Sequence, residues 1–177
     1  IDGVTNLSTV KDIAIMSKYL IKTHPDFYEL YSETKYTWDR TGGQPITQGN
    51  RNTLLNKNIG VDGIKTGFLS LEKYSLASSM KKNSRRLIAV GSGFETKRER
   101  SSESLKLLSW GFRNFNTYEI SKKEETIFKV KTWLGKEPFI EGITKEDVFQ
   151  TISKKDIKNF KIFLEYDGPI KAPIKKD

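Results

Sequence analysis

Residues 61–90 read VDGIKTGFLSLEKYSLASSMKKNSRRLIAV. Three runs within this segment, Gly63 to Phe68, Tyr74 to Met80 and Arg86 to Val90, predict β-strands. The connections between them are short, and the second is a turn at Lys81 to Ser84. Because short connections join antiparallel neighbours, the sequence predicts a sheet of three adjacent antiparallel strands.

Helices are predicted on both sides of this sheet in the chain. Before it, Ser8 or Thr9 is a suitable N-cap, and a helix follows that ends before Pro25. Its apolar residues at helical spacing are Ile13, Met16, Tyr19 and Leu20. After the sheet, Thr96 and Glu99 form a capping-box pattern that begins a second helix. The apolar stripe of that helix is Leu105, Leu108 and Phe112, with Trp110 near it.

Short elements are predicted between the first helix and the sheet. Pro25 to Tyr31 predicts a short helix and Thr34 to Trp38 a strand. Arg40 to Asn50 is rich in glycine and is predicted to be a surface loop. Asn52 to Leu55 predicts a helical turn.

The sequence pattern changes after Asn116. Thr126 to Trp133 and Phe160 to Tyr166 alternate in a way that predicts strands, and no long helix is predicted between them. We therefore place a domain boundary near Asn116. The predicted fold class is α/β (α+β), with helices and an antiparallel sheet in residues 1–116 and a β-rich, sandwich-like domain in residues 117–177.

The composition restricts the chemistry. The chain has 177 residues, a formal net charge of +9, no cysteine and one histidine, His24. These counts exclude disulfides, thiolate metal sites and sites with two histidines, so we expect no metal and no cofactor. The positive charge suits an anionic partner. Nucleic acid is not favoured, because the lysine pairs are dispersed and the strand aromatics are expected in the core.

Lys65-Thr66-Gly67, on the first strand of the predicted sheet, is the part of the chain most informative for function. There an ammonium and a hydroxyl would lie beside a bare backbone that a substrate's main chain could approach closely. A strand edge that simply ends in a turn is the alternative interpretation.

Three arginines are further candidates for binding. Arg98 and Arg100 lie at the start of the second helix, where positive charge opposes the helix macrodipole by roughly 0.3–1 kcal/mol. They form either a solvated first turn or part of a site. Arg51 is either a hydrogen-bonded loop residue or a ligand-binding one, whereas His24 is expected to be structural.

The chain resembles the low-molecular-weight penicillin-binding proteins, which are serine D-alanyl-D-alanine carboxypeptidases. Lys65-Thr66-Gly67 corresponds to the Lys-Thr-Gly of that family. Ser8 to Ala14 is similar to its Ser-Thr-Ala-x-Asp-Met-Ala helix, and Asn50 to Leu55 to its Asn-Arg-Asn-x-Leu-Leu. Glu103 to Phe112 is similar to its Glu-Ser-x-x-Leu-Leu-x-Trp-Gly-Phe. The rest of the chain resembles the β-rich domain that follows in this family.

The resemblance implies a partial β-lactamase-like (transpeptidase-like) first domain and acyl transfer through a serine nucleophile. It implies that Lys65 lies in the general-base network and that the backbone N–H of Phe68 forms half of an oxyanion hole. The segment after Gly67 departs from the family, which has a polar residue, Thr and then Ala-Gly-Tyr. Side-chain contacts from Phe68 and Leu69 are therefore not carried over.

The resemblance also implies four substrate-binding residues. Thr66 and Arg100 would hold the terminal carboxylate of the substrate, Gly67 would lie beside its main chain, and Arg51 would lie near the cleft. No metal site is implied.

The family's nucleophile motif, Ser-x-x-Lys, is matched at five serines, Ser8, Ser32, Ser70, Ser78 and Ser79. None of them has the family's nucleophile context, and the family's Ser-x-Asn is also missing. We expect the chain to be part of a longer protein, beginning downstream of both motifs, and to be inactive alone.

The sequence thus predicts part of a carboxypeptidase that removes the terminal D-alanine from peptidoglycan stem pentapeptides through an acyl-enzyme. β-Lactam antibiotics are the other expected partners. We expect a periplasmic or cell-envelope location, with the signal peptide and any membrane-associating segment outside this chain. A β-lactamase and a non-catalytic peptidoglycan-binding module are the alternatives.

Overall fold

The structure, a computed structural model, describes residues 7–39 and 42–174. Arg40, the first residue of the predicted loop, lies outside the described residues. The chain divides into two compact units between Arg113 and Asn114. Within the described ranges, no helix is both long enough and apolar enough to cross a membrane.

The first unit combines helices with antiparallel strands. Its elements in chain order are α1 (Val10–Thr23), α2 (Pro25–Tyr28), β1 (Lys35–Trp38), β2 (Ile46–Gly49), β3 (Val61–Leu69), β4 (Lys73–Lys82), β5 (Arg85–Phe94) and α3 (Lys97–Asn114). Short 3-10 helices lie at Glu29–Ser32 and Leu55–Lys57.

The predicted three-stranded sheet is confirmed. Its strands are antiparallel in the order β3-β4-β5, so that β3 is an outer strand. Lys65 lies opposite Ala77, and Gly67 lies opposite Ser75. The strands are longer than predicted because the ladder continues through the charged residues Lys81 and Lys82, which have little strand propensity of their own.

Both faces of this sheet are covered, each by different helices. Leu76 and Met80 pack with Leu54 and with Leu108 of α3 on one face. On the other face, Ala77 packs with Tyr28 and Ile64, and α1 contributes Ile13, Leu20 and Ile21. Successive strand residues point to opposite faces, so the central strand β4 is buried continuously from Leu76 to Met80.

The cap predicted for α1 is confirmed, but its predicted apolar stripe is partly wrong. Thr9 and Asp12 form a reciprocal capping box. Met16 and Tyr19 are each 60% exposed, and Ser17 is buried in their place. The hydroxyl of Ser17 is satisfied by the carbonyl of Ile13 at 2.7 Å. A serine whose hydroxyl is hydrogen-bonded is small enough to lie against the sheet, where a larger residue would hold the helix away. The face of α1 that packs on the sheet is therefore rotated toward Ser17 and Ile21.

The prediction of a loop for Arg40 to Asn50 is wrong for its second half. β2 (Ile46–Gly49) pairs with β1 in an antiparallel ladder. The hydroxyls of Thr37 and Thr47 are 2.7 Å apart across it. The strand predicted at Thr34 to Trp38 is confirmed as β1, whereas β2 is mostly exposed and lacks the apolar alternation that identifies a half-buried strand. The helical turn predicted at Asn52 to Leu55 lies slightly later, at Leu55–Lys57.

The second unit is built from strands, so the prediction of an α/β region followed by a β-rich one is confirmed. Its strands are β6 (Phe115–Ser121), β7 (Thr126–Trp133), β8 (Phe139–Ile143), β9 (Val148–Ser153) and β10 (Ile170–Lys171). β6 pairs with β9, and β7 lies between β10 and β8.

The strand predicted at Phe160 to Tyr166 is wrong. This segment has no regular secondary structure, and Phe163 is 83% exposed. Alternation alone does not make a strand, because a strand also needs a neighbour for its backbone hydrogen bonds. The strands that the pattern did not single out, β8 and β9, occupy the neighbouring positions beside β7 and β6.

Candidate functional site

Lys65, Thr66 and Gly67 lie in the second half of β3, an outer strand of its sheet. An outer strand presents one row of backbone N–H and C=O groups that no strand of its own sheet uses, and an extended peptide can pair with such a row. Gly67 also leaves this backbone bare. A Cβ at this position would overlap the hydroxyl of Ser75 on β4, so a larger residue here would require that hydroxyl to move.

These residues line a cleft of about 800 Å³, which we name the Lys65 cleft. All six residues predicted for the site line it: Arg51, Lys65, Thr66, Gly67, Phe68 and Arg100. Three further residues that the sequence did not single out also line it: Thr53, Tyr74 and Lys97. Two of these follow from sequence signals, because Tyr74 is the cross-strand partner of Phe68 and Lys97 precedes Arg100 by one helical turn.

Arg100 is the most unusual of these residues because its guanidinium is almost fully buried, with the residue 4% exposed. Its Nη2 donates to the carbonyl of Arg51 at 2.8 Å, and its Cζ lies 5.8 Å from the ring centroid of Tyr74. Its Nε has no hydrogen-bond partner among the described residues. Burial lowers the pKa of the Arg100 guanidinium below its ordinary value.

No carboxylate in the described ranges forms an ion pair with Arg100. A buried charge without a counter-ion is unfavourable, so an anion that enters the cleft would relieve this cost. The other cationic residues that line the cleft, Arg51, Lys65 and Lys97, also attract an anion. In the described part of the chain no acidic residue lines the cleft. The cleft is therefore suited to a carboxylate ligand.

The start of α3 holds Arg100 in place. The hydroxyl of Thr96 accepts from the backbone N–H of Glu99 at 3.0 Å, which is one half of the predicted capping box. The Glu99 carboxylate accepts from the N–H of Glu95 at 2.9 Å, and not from that of Thr96. The helix start is thus fixed, and Arg100 in its first turn faces the sheet.

Asn52, a residue that we did not select as functional, fixes the loop that contacts Arg100. It is buried, and its Nδ2 donates to the carbonyl of Gly63 on β3 at 3.0 Å. Its Oδ1 accepts from the N–H of Leu54 at 3.2 Å. The side chain of the adjacent Arg51 is exposed, whereas its backbone carbonyl accepts the hydrogen bond from Arg100. Asn52 therefore links β3 to the loop that orients the guanidinium.

Lys65 and Thr66 differ in exposure although they are adjacent. The Lys65 side chain is exposed, and its Nζ donates to the carbonyl of Thr66 at 2.6 Å. Thr66 is 9% exposed. The ammonium is thus held at the strand and remains accessible from the cleft, where it can exchange the carbonyl for a reacting group.

Phe68 presents a half-exposed ring that packs against Tyr74, with the ring centroids 4.5 Å apart. Its backbone N–H directly follows Gly67, as the predicted oxyanion-hole role requires, and that role stays a prediction.

Arg98 and His24 lie outside the Lys65 cleft. Arg98 lines a separate groove along α3. His24 follows α1 and makes edge contacts with the rings of Tyr19 and Phe27.

Comparisons with known proteins give two family matches, one for each part of the chain. A family model described as D-alanyl-D-alanine carboxypeptidase matches residues 1–96, and one described as penicillin-binding protein 5, C-terminal domain, matches residues 115–177. The chain is 35% identical over 176 residues to the carboxypeptidase DacD of Escherichia coli, a match that covers 98% of this chain and 44% of that protein. It is 36% identical over 179 residues to DacA of Haemophilus influenzae, covering 99% of this chain and 44% of that protein.

Solved structures of penicillin-binding proteins are also similar to this chain. Penicillin-binding protein 5 of H. influenzae aligns with a TM-score of 0.83 at 35% identity, covering 96% of this chain and 48% of that one. Penicillin-binding protein D2 of Listeria monocytogenes, in its ampicillin-bound form, aligns with a TM-score of 0.56 at 32% identity, covering 63% of this chain and 44% of that one. The chain spans less than half the length of DacD of E. coli and of DacA of H. influenzae.

Proposed function

Because this chain belongs to the D-alanyl-D-alanine carboxypeptidase family, we propose that the full-length protein is a serine-type carboxypeptidase of the bacterial periplasm or cell envelope. In this proposal it removes the terminal D-alanine from peptidoglycan stem pentapeptides. β-Lactam antibiotics acylate the catalytic serine that attacks the stem peptide.

The observation that carries this proposal is the buried guanidinium of Arg100, which has no counter-ion among the described residues and lies beside the outer edge of β3. A carboxypeptidase must recognise a free carboxylate at the end of a peptide. Arg100 can bind that carboxylate through its planar fork, and the Thr66 hydroxyl can donate a further hydrogen bond. The edge of β3 can pair with the main chain of the same peptide.

The chemistry proceeds in two acyl transfers. The serine oxygen attacks the carbonyl carbon of the penultimate D-alanine, the carbon–nitrogen bond breaks, and the terminal D-alanine leaves as a protonated amine. The Lys65 ammonium polarises the general-base network, which carries the serine proton to the leaving amine. The N–H of Phe68 stabilises the oxyanion. Water then hydrolyses the ester and releases the shortened peptide.

The same geometry accounts for acylation by a β-lactam. The strained ring amide takes the place of the terminal peptide bond, and the β-lactam carboxylate takes the place of the terminal carboxylate on Arg100 and Thr66. The β-lactamase alternative is not favoured, because the second unit matches the penicillin-binding protein C-terminal domain.

The test uses the full-length protein. We expect release of D-alanine from a peptide that ends in D-alanyl-D-alanine, and a stable covalent adduct with a fluorescent penicillin. Rapid hydrolysis of the penicillin without D-alanine release would indicate a β-lactamase. Retention on peptidoglycan without release or adduct would indicate a binding module. Either result would overturn the proposal.

A further inference from the structure

A second groove, which we name the α3 groove, lies between α3 and the loop before β3. It has a volume of about 790 Å³. Its lining includes the exposed cationic residues Lys57, Lys97, Arg98, Lys106 and Arg113. Glu103 pairs with Lys106 at 2.7 Å, and in the described part of the chain no acidic residue forms an ion pair with the other four. The groove therefore presents a positive charge that the first unit itself does not neutralise.

The positions of Lys97 and Arg98 are not explained by the stability of the helix. Lys97 and Arg98 lie in the first turn of α3, where positive charge opposes the helix macrodipole. From Arg98 to Arg113 the groove follows fifteen residues of α3, which is about 22 Å at 1.5 Å per residue. An extended peptide covers that length with about six or seven residues. The dimensions thus fit a chain with several negative charges better than a single small anion.

The groove also has apolar surface between its cations. Leu105 lines it, and Trp110, which is 52% exposed, lines it near the end of α3. Such a surface suits an acidic peptide, whose side-chain methylenes and backbone can cover the apolar groups while its carboxylates meet the cations. A flat lipid surface would reach only the rim of a concave groove.

The α3 groove adjoins the Lys65 cleft. Thr53 and Lys97 line both, and the hydroxyls of Thr53 and Ser101 are 3.0 Å apart at their junction. We propose, building on the function proposed above, that the α3 groove is an exosite that binds an acidic peptide segment of the polymeric substrate. Stem peptides on a glycan strand are repeated at short intervals, so a stem in the Lys65 cleft brings its neighbours close to the groove.

The experiment compares two substrates of the full-length protein: a short peptide that ends in D-alanyl-D-alanine and intact peptidoglycan with pentapeptide stems. The variant is the double substitution Arg98→Gln/Arg113→Gln, which removes two groove charges and leaves the Lys65 cleft unchanged. We expect kcat/KM for D-alanine release from the polymer to fall by about 3- to 20-fold, the effect of two exposed charge contacts. The short peptide should change by less than about twofold. At about 0.5 M salt, the difference between wild type and variant on the polymer should disappear.

The matched control is Lys81→Gln/Lys82→Gln, which removes the same charge at the end of β4, away from the groove. It should leave both substrates unaffected. Equal losses on both substrates, or no loss on the polymer, would overturn the exosite. So would a loss of binding to phosphatidylglycerol vesicles with polymer turnover unchanged, since the groove would then contact a membrane.

A direct binding measurement separates failure of the exosite from failure of the proposed function. The probe is a fluorescein-labelled, glutamate-rich peptide of about seven residues, the length that the groove accommodates. Its fluorescence anisotropy should report binding that weakens at least about threefold in Arg98→Gln/Arg113→Gln but not in the control. If the wild-type protein releases no D-alanine from either substrate, the function proposal fails while this binding still tests the groove. Equal affinity in all three proteins would refute the groove as an acidic-peptide site.

Discussion

Replacing Arg100 by alanine removes the buried guanidinium and little else. The loss frees the carbonyl of Arg51, whose residue is exposed, so water can replace the 2.8 Å hydrogen bond. Arg100 has no counter-ion among the described residues, so its removal also removes the desolvation cost of the buried cation, which offsets the loss of packing. We therefore expect the free energy of unfolding to change by no more than about 1 kcal/mol.

The expected effect on activity comes from the contact with the substrate carboxylate. A hydrogen bond to a charged group contributes about 1.5–3 kcal/mol, so Arg100→Ala in the full-length protein should lower kcat/KM by roughly 10- to 150-fold for a peptide acid ending in D-alanyl-D-alanine. The same peptide with an amidated C-terminus lacks the negative charge and should change by less than about threefold. Arg100→Lys, which keeps the charge but not the planar fork, should lie between wild type and Arg100→Ala.

The assay measures D-alanine or D-alaninamide release under conditions that give kcat/KM for each substrate. Arg98→Ala is the matched control, because Arg98 is two residues away on the same helix and lies outside the Lys65 cleft. It should leave both short substrates unchanged. Equal losses on acid and amide would show that Arg100 only supports the shape of the cleft. No loss on either would leave Thr66 as the better candidate for the carboxylate contact.

Three further predictions concern other contacts. Lys65→Ala should slow penicillin acylation of the full-length protein by roughly 10²- to 10⁴-fold, the range for loss of part of an acid–base network, and a rate within about threefold of wild type would contradict its role. Asn52→Ala leaves the N–H of Leu54 without its acceptor and removes one of the donors to the Gly63 carbonyl, so urea unfolding should show a loss of about 1–3 kcal/mol, whereas an unchanged midpoint would show that water replaces these contacts. Burial raises the pKa of the Tyr28 hydroxyl far above its ordinary 10.0, so the unfolded state ionises first and stability falls as pH rises above about 10. Tyr28→Phe should lose stability less steeply over that range, and identical slopes in chemical denaturation would count against this explanation.

The parts of the fold that the sequence predicted are those with a local signal. The sheet β3-β4-β5 has short connections and strands rich in β-forming residues, and Leu105, Leu108 and Phe112 of α3 face the core as predicted. Strand β1 lies where a strand was predicted, but its partner β2 gave no such signal, because its residues are mostly exposed. At Phe160 to Tyr166 the opposite occurred: the signal was present, but no strand is formed there.

The candidate site was found from the resemblance to family motifs, whereas its electrostatics required the structure. All six predicted residues line one cleft. The spacing of Arg98 and Arg100 does not distinguish them, yet one lies in the α3 groove and the other is buried without a counter-ion among the described residues. Burial depends on which side of α3 faces the sheet, and that is set by distant packing at Leu108. The link from Asn52 to Gly63 is likewise a contact between residues eleven positions apart, which no local pattern reports.

The open edge of β3 has a consequence for solubility. A row of unpaired backbone groups can pair with the same row of a second molecule, which is a common start of aggregation. Charged side chains on outer strands oppose this pairing, and lysine is frequent among them. Lys65 lies in the middle of the edge, with the exposed Phe68 and Leu69 after it. We therefore expect the Lys65 ammonium to oppose pairing between two copies of this strand, so that neutral substitutions at this position should increase aggregation in addition to any loss of turnover.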